Sequence, residues 1–170
     1  MILFLSNFFK ERNNIHTYIK KIARSALIAA LYTALTVALA PISYGPVQFR
    51  VSEALTLLPF YFPEAVPVLT IGCVLSNFLG GYGLPDMVFG SLATLLAALL
   101  TMKSKNIFIA AFWPVIFNAV IIGLMLHVLI EVPLIATGIY VGLGEAGACC
   151  LVGIPLMKIL EKRKIIVKSA

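Results

Sequence analysis

A chain of 170 residues that is 61% hydrophobic and only 12% charged, with a mean hydropathy of +1.04, cannot cover its surface with polar groups, so its solvent must be lipid. The net charge of +6 falls in clusters that flank apolar runs, which reads as membrane topology rather than nucleic-acid binding. The length suits one bundle of several spans with short connections, with nothing left for a separate soluble domain.

Residues 1–21 are basic, and their apolar part is too short to cross a bilayer. They are expected as a cytoplasmic or interfacial N-terminal segment. The first span is predicted over about 22–42. A cleavable signal peptide is its rival, because "KKIAR", an apolar run and "ALA" follow in order, but Pro41 is a poor residue after a cleavage point. The loop "PISYGPVQFR" leads to a second apolar stretch, 51–62, which is short for a crossing and could be re-entrant. Pro63 and Pro67 punctuate the turn into a third span that ends at Gly81. Asp86 is a plausible N-cap for a fourth span over 87–102. The fifth span covers 107–130 and the sixth about 134–160.

Twelve of the 13 Lys and Arg lie between Lys10 and Arg24, at Lys103 and Lys105, or between Lys158 and Lys168. Six crossings put all three clusters on one side, whereas five would force the last cluster outside, against the positive-inside rule. The fold class is therefore an all-α integral membrane protein of six transmembrane helices spanning 22–162. Both termini are cytoplasmic, and 163–170 form a basic tail. The thin second span is expected to tilt little or to thin the bilayer locally. The basic clusters also suit anionic lipid headgroups.

Cys73, Cys149 and Cys150 sit in apolar runs without disulfide or metal spacing and read as small packing residues. No nucleotide-binding loop, metalloprotease signature or nucleophile elbow occurs, so the chain is not expected to be an enzyme or to carry a cofactor or metal. Any ATP would be used by partner subunits.

Three features stand out against the apolar pattern. Ala26, Ala30, Ala34 and Ala38 recur every four residues, a small-residue stripe that lets another helix approach, inside the bundle or from a partner. Glu145 lies about eleven residues into the sixth span, roughly 16 Å deep at ~1.5 Å per residue and so near the bilayer centre. It must meet a ligand or a structural partner such as Asn118, which sits about as deep in the fifth span. Gly138, Gly142, Gly144 and Gly147 leave room beside it for a close helix or a bound molecule. Finally, Gln48, Arg50, Glu53, Asn77, Tyr82, Asp86, His127 and Glu131 are expected to ring the outer ends of the spans. Arg50 there is either a rim residue of a site or an i,i+3 partner of Glu53.

The run "ISYGPVQFRVSEALTLLPFYFPEAVPVLTIGCVLSNFLGG", followed by "LPDMVFGSLATLLAALLT", resembles the QueT family, substrate-binding S components of energy-coupling factor transporters. The resemblance covers about 25–162. It implies a substrate site near the extracellular side and a queuosine precursor, a 7-deazaguanine base such as queuine or its aminomethyl form, as cargo. It also implies a transmembrane T component, contacted through the alanine stripe of the first span, and two cytoplasmic ATPase subunits. A guanine-like edge presents adjacent N–H donors that suit a carboxylate, and its carbonyl suits an amide or guanidinium. Glu145 is expected on that edge with Asn118 and Asn77 as amide partners. Glu53 or Asp86 would take an aminomethyl cation, with Arg50 orienting Glu53 or closing the rim. Tyr82 or Phe49 would stack on the base, beside Gln48. An S component for another vitamin-like heterocycle and a small proton-coupled secondary transporter using Glu145 are the rival readings, although no convincing internal repeat favours the latter.

Overall fold

The computed structural model of the protein describes residues 2–45, 47–81 and 83–167, with side chains from residue 18 onward. Among these residues every regular element is helical. Helix α1 (Ile2–Ala38) is followed by a single turn, Ala40–Ser43, and a 3₁₀ segment, Val51–Phe60. Helix α2 (Ala65–Gly80) follows. A π turn, Asp86–Gly90, runs into α3 (Ser91–Met102). Helices α4 (Ile107–Ile130) and α5 (Leu134–Lys162) complete the bundle. A π segment, Gly147–Gly153, interrupts α5.

Among the described residues three stretches are long and apolar enough to cross a membrane: Tyr18–Ala38, Ile107–Ile130 and Leu134–Lys162. Val51–Phe60, Ala65–Gly80 and Asp86–Met102 are apolar but shorter. The basic segment expected to stand apart at the N-terminus continues into the first span without a break in the helical backbone. At the other end the expected solvated tail folds back in part, since Ile166 is buried in the same cluster as Tyr61 and Phe62.

The second apolar stretch is the centre of the bundle rather than a lipid-facing span. Ser52, Glu53, Ala54, Thr56, Leu57, Leu58 and Pro59 are buried, and the segment packs against all five helices. A 3₁₀ helix rises about 2 Å per residue, so ten residues reach only roughly 20 Å. Surrounded by protein, that short reach need not match the bilayer, and the expected local thinning is not required.

Long helices bring this segment its walls, and one of them shows how lipid-bound backbone is kept satisfied. Pro114 lies inside α4 and has no N–H to give the carbonyl of Ala110, one turn earlier. The hydroxyl of Thr101 on α3 donates to that carbonyl at 3.0 Å. A neighbouring helix thus supplies the bond that proline removed, as the absence of water in lipid requires.

Asp86 does not cap a helix. Helical turns already begin at Leu84, and the π turn has no side-chain cap. Its backbone carbonyl instead accepts from the side-chain amide of Asn77 at 2.8 Å. At the opposite end of α2, Lys21 pairs with Glu64 at 2.8 Å, and the Arg24 guanidinium stands 4.2 Å from the Phe62 ring centre.

Candidate functional site

The polar groups of the bundle converge on the 3₁₀ segment. Tyr32 and Thr36 lie one turn apart on the inner face of α1 and are fully buried. The Tyr32 hydroxyl donates to Oε1 of Glu53, and Thr36 shares a 2.6 Å hydrogen bond with Ser52. Thr56 donates to the backbone carbonyl of Glu53 at 2.6 Å. Cys149 of α5 donates its thiol to the same carbonyl at 3.5 Å.

Arg50, Glu53 and Glu145 are among the largest fully buried side chains, at 1%, 0% and 1% exposure. Arg50 and Glu53 are therefore not rim residues. Nor do they form the i,i+3 pair expected at the helix start: Lys21–Glu64 is the one ion pair among the described residues. The chain geometry explains both departures. A 3₁₀ segment threaded through the middle of the bundle carries its first turn inward, and there each side chain meets a different partner. The Arg50 Nε donates to the carbonyl of Ser43 at 3.3 Å, and its guanidinium lies 4.8 Å from the Tyr44 ring centre. The Tyr44 hydroxyl in turn donates to Asn77 Oδ1 at 3.0 Å and to the Ser76 carbonyl at 3.2 Å.

Glu145 reaches this cluster through glycines. A Cβ on Gly144 would lie 2.0 Å from the carbonyl oxygen of Val47, and one on Gly147 would lie 2.6 Å from the Phe49 ring. Only glycine allows the 47–49 chain to press so closely on α5, and this contact brings Arg50 and Glu53 to the face that carries Glu145 and Cys149. The glycine-rich surroundings of Glu145 thus seat a crossing chain. Glu145 is within electrostatic reach of both Glu53 and Arg50.

Three charged atoms in this cluster are buried and lack hydrogen-bond partners: Glu53 Oε2, Glu145 Oε2 and Arg50 Nη2. Buried polar groups are nearly always paired, and an unpaired ion in low dielectric costs on the order of several kcal/mol. Two free acceptors and one free donor among three interior charges are what a site for a polar guest requires.

The other expected site residues are distributed unevenly. Asn77 is buried with its amide committed, to Tyr44 on one side and to Asp86 and Cys73 on the other. It ties α2 to the π turn. Asn118 donates to the carbonyl of Pro114 on its own helix at 3.0 Å, so no bond joins it to Glu145. Gln48 is buried, with a left-handed φ of 48°, and Phe49 is half-buried against Gly147. Asp86 is half-buried and faces Arg50 electrostatically. Tyr82 lies outside the described residues. His127 and Glu131 are exposed, so the expected outer ring is replaced by an inner cluster plus two peripheral residues. Ala26, Ala30, Ala34 and Ala38 are all exposed, on the face of α1 opposite Tyr32 and Thr36.

Tyr44 and Gln48 also line a cavity of about 550 Å³ between this loop and helices α4 and α5, walled by Leu126, Ile130, Thr137 and Tyr140 among others. None of the three unpaired charged residues lines it. Tyr32, Thr36, Ser52 and Thr56 were not singled out from the sequence. For Tyr32 and Thr36 the signal was there, since i,i+4 spacing is a polar stripe that one face of an α-helix buries. Ser52 and Thr56 sit on a 3₁₀ segment, where that spacing marks no common face.

A family model described as QueT transporter matches residues 22–162. The chain is 37% identical over 154 aligned positions to the "Queuosine precursor transporter QueT" of Lactococcus lactis subsp. cremoris, covering 81% of this chain and 90% of that protein. No solved structure matches it.

Proposed function

We propose, from the premise that the chain belongs to the QueT transporter family, that it captures a queuosine precursor of the 7-deazaguanine type in the Arg50–Glu53–Glu145 cluster. The family is one of transporters, and the chain is a multi-pass membrane protein without a chemical step to perform. The observation that carries the reading is the set of unpaired buried atoms on these three residues. A deazaguanine base has adjacent N–H donors that a carboxylate accepts in pairs, and a carbonyl that a guanidinium satisfies. Its donor edge fits a carboxylate such as Glu145, and its carbonyl fits the unpaired guanidinium nitrogen of Arg50.

In this reading the chain is the substrate-binding component of an energy-coupling factor importer, with six crossings and both termini cytoplasmic. The guest enters from outside. Because the cluster is closed, entry requires the 47–49 segment to lift from Gly144. The cavity beside Tyr44 and Gln48 is the vestibule from which it does so. The exposed alanine stripe on α1 faces a transmembrane T component, and two ATPase subunits supply the energy.

The test is a binding titration of purified protein in nanodiscs with 7-aminomethyl-7-deazaguanine, guanine, riboflavin and biotin. The deazaguanine is expected to bind, with at least a tenfold loss in Glu145→Gln. Affinity for riboflavin or biotin instead would move the chain to another cargo. Proton-dependent flux of the base by this chain alone in liposomes would make it a secondary transporter.

A further inference from the structure

The chain reverses direction at the end of α5. The Lys164 N–H donates to the Glu161 carbonyl at 2.9 Å, and the Ile165 N–H donates to the Leu160 carbonyl at 3.0 Å. This pair of bonds ends a helix on a left-handed residue, usually glycine. Here that residue is Lys164, at φ 56°, a conformation that a Cβ disfavours. Such strain persists only where the surrounding structure holds it. The residue that holds this turn is Ile166. It is 8% exposed, between Ile165 at 67% and Val167 at 72%, and it joins the buried apolar cluster of Tyr61 and Phe62.

Tyr61 and Phe62 directly follow the 3₁₀ segment, whose opposite end carries Arg50 and Glu53. The Tyr61 hydroxyl donates to Oε2 of Glu161 on α5 at 3.1 Å, and Phe62 lies against the Arg24 guanidinium of α1. Ile166 therefore enters where α1, α5 and the end of the site-bearing segment meet. A cavity of about 480 Å³ lies beside it, lined by Arg24, Glu64 and Phe62 as well as by the tail. One buried side chain, rather than a closely packed wall, keeps the tail in place.

We propose that residues 163–167 form a releasable latch on the 51–60 segment. Ile166 in its socket holds the segment against α1 and α5, and its withdrawal loosens the segment from the end opposite Arg50 and Glu53. The strained turn opposes the single buried anchor, which brings the seated and released positions closer in energy. A pull on the tail then reaches the charge cluster through ten residues of continuous helix, whichever guest the cluster takes.

The experiment is amide hydrogen exchange, read by mass spectrometry on the full-length protein in nanodiscs without any guest. Ile166→Asp unseats the anchor, and amides of 51–62 are expected to exchange at least roughly tenfold faster while those of 107–130 keep their rate. Lys164→Gly relieves the turn and keeps the anchor, so exchange over 51–62 should slow about threefold. Val167→Asp, at an exposed position, should change neither. Rates over 51–62 that are the same in Ile166→Asp and Val167→Asp overturn the latch. So does an acceleration shared equally by 107–130, which would make Ile166 a contributor to general stability only. Should Ile166→Asp fail to fold, Ile166→Ala and Lys164→Gly decide, through opposite changes confined to 51–62.

Discussion

Tyr32, near the C-terminal end of α1, donates its phenolic hydrogen to Glu53 at the start of the 3₁₀ segment. That single bond ties α1 to the interior charge cluster and fixes one carboxylate oxygen while leaving the other without a hydrogen-bond partner.

Removing the donor with Tyr32→Phe leaves Glu53 Oε1 unpaired as well. The expected cost is about 1–3 kcal/mol of stability, since a buried acceptor is stranded. In the Tyr32→Phe/Glu53→Gln double variant the two effects should be non-additive. A thermodynamic cycle by thermal unfolding in detergent measures this, and strict additivity would mean that the bond contributes nothing.

Gly144→Ala should disrupt the site from its own helix. Its new methyl would meet the Val47 carbonyl at 2.0 Å, so the 47–49 crossing must move and carry Arg50 with it. Overpacking of this kind costs about 1–3 kcal/mol, and substrate binding is expected to be lost. Gly142→Ala is the control, because a Cβ there meets only the Ala119 side chain at 3.4 Å. It should fold and bind normally. Equal effects of the two substitutions would refute the close crossing.

Thr101→Val removes the hydroxyl that serves the Ala110 carbonyl. The expected loss is again about 1–3 kcal/mol, for an unsatisfied buried carbonyl. Pro114→Ala returns a backbone N–H to the same carbonyl, so the penalty of Thr101→Val should shrink in that background. Unfolding midpoints of the four proteins check this.

The Lys21–Glu64 pair sits ahead of α2 with both side chains substantially exposed. The hydrogen bond from Lys21 holds the Glu64 carboxyl below the usual carboxylate range. A depressed folded-state value contributes stability that is complete above the unfolded value and is lost as pH falls through the folded one. The contribution should therefore be present at neutral pH and vanish in acid. Its size is at most about 1 kcal/mol, because exposed pairs are screened. Melting of Glu64→Gln against the unaltered protein at pH 7 and pH 3 is the measurement, with convergence expected at the lower pH.

Sequence alone settled the lipid environment, the helical class and several boundaries. The fifth predicted span, 107–130, coincides with α4, and the third ends where α2 reaches Gly81. These features are local: a run of apolar residues and a glycine stop carry their meaning in their own neighbourhood. Glu145 could be singled out for the same reason, since a carboxylate so far inside an apolar helix must find company.

Only the tertiary structure decided which company. Spacing along the chain left Arg50 as a rim residue or a partner of Glu53, left Glu145 to meet a ligand or a structural partner such as Asn118, and placed Arg50 and Glu53 near the outer surface. The folded chain instead draws the 51–60 segment into the centre, gives Glu53 to Tyr32 and gives Asn118 to its own helix. Burial and partnership are set by residues far away in sequence, here by Gly144 of α5, which admits the 47–48 backbone, and Gly147, which admits the Phe49 ring. No window of neighbouring residues contains that information.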